Sequence, residues 1–141
     1  MITVYTSITG EKDKLVDRQV KGKAKWIAFT DRPMKSKTWE VRMAYDKFKS
    51  PRRNSRIHKI LAHQFLETDY SIWIDGNVEL TISPEALVKK YMVNQDFVAF
   101  KHPIRNCLYD EANVCLYLKL DNKEIIDNQV KKYKKWGFLK Q

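Results

Sequence analysis

Short, continuous apolar runs separated by charged stretches set the pattern of this chain, and each run is the length of a strand rather than of a long helix. Ile2 to Thr6 reads as a first strand, followed by a loop from Ser7 to Gly10 that opens toward a ligand. The charged stretch Glu11 to Lys23, with Leu15, Val16 and Val20 as its few apolar residues, predicts a short surface helix acting as a crossover. Trp26 to Thr30 is a second apolar run, closed by Asp31-Arg32-Pro33, because proline forbids further ladder pairing and aspartate favours a turn. Trp39 to Ala44 reads as a third strand, before a basic loop from Lys47 to Arg53.

Ser50-Pro51 supplies an N-cap and a first helical residue, and Ile57, Ile60, Leu61 and Phe65 recur at helical spacing through Leu66. On that helix Arg52, Arg56, Lys59 and His63 form a cationic stripe beside the apolar centre, a placement suited to phosphate. Tyr70 to Asp75 is the next strand, Ser83-Pro84 through Tyr91 a helix, and Asp96 to Phe100 a fifth strand. Tyr109 to Leu120 and Asp121 to Trp136 read as helices, the second stopped by Gly137. Strand and helix alternate, so the expected fold class is α/β, a mainly parallel sheet flanked by helices.

At 141 residues with 43% hydrophobic content, the chain is expected to form a single domain, 1–141, around one core. Twenty-seven Lys and Arg against seventeen Asp and Glu leave a net charge of +10, so a polyanionic partner is expected, whether nucleic acid, a phosphorylated ligand or an anionic membrane. Cys107 and Cys115 lack metal-ligand spacing and read as reduced thiols. No signal peptide or membrane span is visible, which leads to the expectation of a cytoplasmic protein.

In open parallel sheets ligands bind outside the carboxyl ends of the strands. The residues at those ends are Thr6-Ser7, Asp31 and Asp75-Gly76-Asn77. The last is the most telling, because an apolar run, Tyr70 to Ile74, stops abruptly at a carboxylate, a turn-forming glycine and an amide. With Arg56 and Lys59 from the helix stripe, the set matches what a metal-bound nucleotide diphosphate needs. Each feature also has a plainer reading: a surface turn for Asp75-Gly76-Asn77 and Asp31, and a solvated helix face for Arg56 and Lys59. His58 and His63 read as helix-surface or partly buried residues, and Trp26, Trp39 and Trp73 as core.

Three segments in order, N-S-R-x-H-K at Asn54 to Lys59, Y-S-I-W-I-D-G-N at Tyr70 to Asn77, and F-K-H-P-I-R-N-C-L-Y-D-E-A at Phe100 to Ala112, resemble the DUF616 family of TOD1/MUCI70-type glycosyltransferase-like domains. The resemblance runs from about Thr6 to the Tyr133–Phe138 region. It implies a GT-A-like, Rossmann-like nucleotide-diphospho-sugar transferase fold and a hexosyltransferase-like enzyme moving sugar from a nucleotide-sugar donor, such as a UDP-sugar, to an acceptor that the sequence does not name.

Under that resemblance Asp75-Gly76-Asn77 takes the place of the D-x-D motif, so Asp75 and Asn77 become ligands of Mn²⁺ or Mg²⁺. Asn77 departs from the motif because its amide brings no charge. Thr6, Ser7, Asp31, Arg56 and Lys59 are implied to bind the nucleotide. His102 and Arg105 are implied to face the sugar or leaving phosphate, and Asp110 or Glu111 to hold sugar hydroxyls or serve as base. GT-A enzymes carry a further C-terminal acceptor portion, which is expected to be missing from this chain. Two alternatives remain: a nucleic-acid-binding module using Lys131 to Trp136, and an inactive nucleotide-sugar-binding domain.

Overall fold

A computed structural model describes residues 1–11 and 13–139. Its backbone forms two compact units, Met1–Val98 and Ala99–Gln141. The first is built on four parallel strands, β1 (Ile2–Ile8), β2 (Lys25–Thr30), β3 (Glu40–Met43) and β4 (Tyr70–Trp73), in the order β3-β2-β1-β4. It also holds helices α1 (Pro51–Ile60) and α2 (Pro84–Tyr91). The parallel α/β sheet is therefore the architecture that the strand and helix alternation predicts.

Central strands β1 and β2 are buried on both faces, which is why they read as unbroken apolar runs rather than as alternating ones. Val4, Trp26, Ala28, Trp39 and Ile74 pack on one face, with Trp26 and Trp39 edge to face at 4.9 Å. Tyr5, Ile27, Phe29, Ala44 and Leu66 pack on the other, under α1 and the 3₁₀ turn Ala62–Gln64. Ser83 caps α2 by accepting the Ala86 N–H at 3.3 Å, with Pro84 at the first helical position.

The second unit holds α3 (Leu108–Tyr117) and α4 (Lys123–Lys135). Asn122 caps α4 by accepting the Glu124 N–H at 2.8 Å, and Gly137 ends it with φ of 81°. The Lys134 ammonium lies 5.6 Å from the Tyr109 ring centre, and the Tyr109 hydroxyl donates to the Phe138 carbonyl. Cys107 and Cys115 are free thiols. Among the described residues no helix is long and apolar enough to cross a membrane.

Four expectations fail in instructive ways. The stretch Glu11 to Lys23 is not helical; Lys12 within it lies outside the described residues. Its backbone instead bonds outward, the Val16 and Val20 N–H groups donating to Gly76 O at 3.1 Å and Leu80 O at 3.2 Å. Asp96 to Phe100 forms no strand, and Phe97 and Phe100 are exposed. Helix α1 stops at Ile60, where Leu61 leaves helical geometry, and gives way to the 3₁₀ turn instead of continuing to Leu66. Strand β1 continues past Thr6 to Ile8, so Ser7 and Ile8 lie inside the sheet, not in a loop, and Thr6, expected to line the nucleotide, is 0% exposed.

Candidate functional site

Ile8, Thr9 and Gly10 leave the carboxyl end of β1 and touch three elements in succession. Ile8 packs against Gly76, where an added Cβ would stand 2.5 Å from Ile8 Cδ1. Thr9 Oγ1 donates to Pro51 O at 2.6 Å, which fixes the start of α1. Gly10, at φ of 72°, donates its N–H to Asp31 Oδ2 at 2.6 Å. The ends of β1, β2 and β4 and the first turn of α1 thus meet at one edge of the sheet, where parallel α/β sheets bind ligands.

The Asp75-Gly76-Asn77 segment turns tightly there, with Val78 N–H donating to Asp75 O at 2.9 Å. Gly76 does not have positive φ; it is glycine because Ile8 leaves no room for a side chain. Gln19 braces the segment after the turn, donating to Val78 O at 2.9 Å and accepting Leu80 N–H at 2.8 Å. The extended Leu15 to Val20 stretch therefore holds the turn that the sequence singles out.

Asp75 and Asn77 are both exposed. Trp73 Nε1 donates to Asp75 Oδ1 at 3.0 Å, and the Lys59 ammonium lies 5.1 Å from the centre of the same indole. Tyr5 closes the group, edge-on to Trp73 at 5.2 Å, with its hydroxyl donating to Lys59 O at 3.4 Å. Asp75 and Lys59 are thereby brought into one cluster through a tryptophan that the sequence reading leaves in the core.

The N-S-R-x-H-K segment resolves into mostly structural roles. Asn54 is buried and accepts the Lys47 and Phe48 N–H groups at 3.3 and 2.9 Å, so it shapes the basic loop before α1. Ser55 donates to Ser7 O at 2.9 Å. His58, at 1% exposure, stacks on Phe29 at 4.2 Å with its Nδ1 3.3 Å from Ser7 Oγ and 3.1 Å from Asn54 O. Its Nε2 accepts the Tyr45 N–H at 3.2 Å, which requires the Nδ1–H tautomer. Burial holds this imidazole below its ordinary range, the Asn54 and Ser55 backbone contacts opposing that shift. His58, expected at the helix surface or partly buried, is thus a fully buried polar pin, with Ser7 Oγ as one of the oxygens facing its Nδ1. Arg56 remains exposed on the outer face, and Asp31 serves the β1 loop.

The buried positions of α1 are the polar Asn54 and His58, an i, i+4 pair that apolar spacing does not mark. Ile60, an apolar position at helical spacing, is 71% exposed.

In the second unit, His102, Arg105 and Glu111 come together beside an open cleft of about 560 Å³. His102 Nδ1 accepts the Arg105 N–H at 3.0 Å, its Nε2 lies 3.2 Å from Arg105 Nη2, and Arg105 Nε donates to Glu111. The arginine bond holds the Glu111 carboxyl below the usual glutamate range, which makes it a weak base. Asp110 stands beside Glu111 in the first turn of α3.

The turn offers two oxygens that could hold a divalent cation. Among the described residues no three His, Cys, Asp or Glu side chains converge on one point. With Asp75 Oδ1 engaged by the indole, the donor set at the turn is Asp75 Oδ2 and the Asn77 amide oxygen. That set suits Mg²⁺ or Mn²⁺ arriving with a diphosphate, since such ions complete their shell with substrate phosphates and water.

A family model described as TOD1/MUCI70, glycosyltransferase-like domain, matches residues 15–141. The chain belongs to this family. All three segments that carry the sequence resemblance lie within the matched stretch of the glycosyltransferase-like domain, whereas Thr6 and Ser7 precede it. An Arabidopsis thaliana protein named probable hexosyltransferase MUCI70 is 33% identical over 104 residues, covering 70% of this chain and 18% of that protein. The chain therefore spans less than a fifth of the length of this relative. No solved structure matches the chain.

Proposed function

We propose that this domain binds a nucleotide-diphosphate sugar, a UDP-sugar in the first instance, and works in transfer of a hexose to an acceptor hydroxyl. The observation that carries this reading is the Asp75 turn. It stands at the carboxyl edge of a parallel sheet in a glycosyltransferase-like domain, and its carboxylate accepts the Trp73 indole N–H. In the reaction the bond between the sugar C1 and the diphosphate oxygen breaks, the electron pair leaves with the diphosphate, and the acceptor oxygen bonds to C1 and gives up its proton.

Asp75 and the Asn77 amide oxygen are the residues proposed to hold Mn²⁺ or Mg²⁺ on the diphosphate. The cation would offset the negative charge that grows on the leaving group. Arg56, exposed on α1, is proposed to bring positive charge to the diphosphate, and Asp31 shapes the loop proposed to lie along the nucleotide. His102 and Arg105, in the second unit, are proposed to bind an anionic or polar group of the substrates. Glu111 is proposed to orient Arg105 rather than to take the acceptor proton.

Thermal melting tests the reading. A ligand held only by the native state at one hundred times its Kd should raise Tm by roughly 8 °C. UDP or GDP with Mn²⁺ should do so for the wild-type chain and not for Asp75→Ala. Melting unmoved by any nucleoside diphosphate, together with salt-sensitive binding of an oligonucleotide, would instead assign the +10 charge to nucleic acid.

A further inference from the structure

We propose that Trp73 is a positioning residue whose indole N–H holds the Asp75 carboxylate in one orientation, presenting Oδ2 to the ligand. This inference rests on the donor-binding reading and adds to it a residue that makes no ligand contact.

Asp75 is exposed at a turn beyond the end of β4, where a short carboxylate side chain would ordinarily sample several rotamers. The N–H of Trp73 reaches Oδ1 at 3.0 Å, two residues back along the chain. A donor is useful there only if it is itself immobile; two contacts hold the indole, and a hydrogen bond ties the two contacting residues to each other. The Tyr5 ring meets it edge-on at 5.2 Å and 76°, the Lys59 ammonium stands 5.1 Å from its centre, and the Tyr5 hydroxyl bonds to the Lys59 carbonyl. Strand β1 and helix α1 thus fix an indole on β4, and the indole fixes a carboxylate on the loop.

The spacing has a simple origin. Residues 73 and 75 are two apart, so in extended chain their side chains leave on the same side, and Ile74 points to the opposite, buried face. Among side chains only tryptophan combines a large packing surface with a single N–H donor and no acceptor. Tyrosine could donate but could also turn its hydroxyl to water. Lys59 gains a second role from this arrangement: its ammonium, 5.1 Å from the ring centre, helps to hold the indole in place.

Two variants test the proposal with and without ligand. In the wild-type protein the Hα–Hβ couplings of Asp75 should report one rotamer, and Trp73→Phe should average them. The Trp73 indole N–H should exchange with solvent about tenfold faster in Asp75→Ala. With UDP and Mn²⁺ as the probe, Trp73→Phe should raise Kd about fivefold, the equivalent of one ordinary hydrogen bond, and should have no further effect in the Asp75→Ala background. Asp75 couplings unaltered by Trp73→Phe, indole exchange unaltered by Asp75→Ala, or an unchanged Kd would each overturn the proposal. A wild-type chain that fails to bind UDP would sink the donor reading, while the couplings and exchange would still decide whether Trp73 positions Asp75.

Discussion

His58 Nε2 accepts the backbone N–H of Tyr45 at 3.2 Å, so a histidine on α1 carries the hydrogen bond that directs the chain out of β3. Its other nitrogen, close to Ser7 Oγ and Asn54 O, faces β1 and its own helix. Truncation would leave a buried void beside Phe29 and orphan the Tyr45 N–H. His58→Ala should therefore cost about 3 kcal/mol, from lost packing and from unsatisfied polar groups together. Urea unfolding checks this, and a loss below about 1 kcal/mol would contradict the pin.

The same histidine makes stability depend on pH. Burial lowers its folded pKa relative to the unfolded chain, whose value is near the ordinary 6.5. The unfolded state then binds the proton more readily, so stability is complete above about pH 6.5 and is lost as pH falls from there through the folded pKa. Melting between pH 7.5 and 5.5 should show a falling Tm that flattens in His58→Gln. Glu85 and Asp17, held low by bonds from backbone N–H groups and from Ser36, lose their contributions in a more acidic window.

Gly76 offers a test of close packing. An added Cβ would meet Ile8 Cδ1 at 2.5 Å and Cγ1 at 2.8 Å, and Ile8 is itself buried. Gly76→Ala should destabilise by about 2 kcal/mol, a cost typical of overpacking. Ile8→Val removes the nearer atom and should recover part of the loss in the double variant. Additive losses would show that the clash is relieved elsewhere.

What the sequence made legible follows from physics that acts locally. Strands β1 and β2 declare themselves because a strand buried on both faces must be apolar throughout, and α2 because Ser83-Pro84 is both cap and first turn. The Leu15 to Val20 stretch was not legible: its partners, Gly76 and Leu80, lie about sixty positions away, and no local pattern encodes them. His58 was missed for a related reason, since a polar side chain on a helix looks solvated until Ser7, Phe29 and Tyr45 are brought around it. At the site, Asp75 could be singled out from its place after an apolar run, whereas its tie to Trp73 depends on side-chain geometry.

Asn77 provides a prediction of the opposite sign. Its amide oxygen can meet a cation but adds no charge, so Asn77→Asp should tighten Mn²⁺ binding in the presence of UDP by about tenfold, or roughly 1.4 kcal/mol. Manganese-dependent quenching of tryptophan fluorescence can follow it. Weaker binding in this variant would show that the amide's N–H₂, not its oxygen, faces the ligand.

Calorimetric titration of UDP and Mn²⁺ into the wild-type chain and into Asp75→Ala tests the central claim most directly. Saturable one-to-one binding by the wild type, lost or weakened at least tenfold in Asp75→Ala while its melting temperature without ligand stays the same, is the predicted result. Equal affinity in the two proteins would contradict a donor site at Asp75.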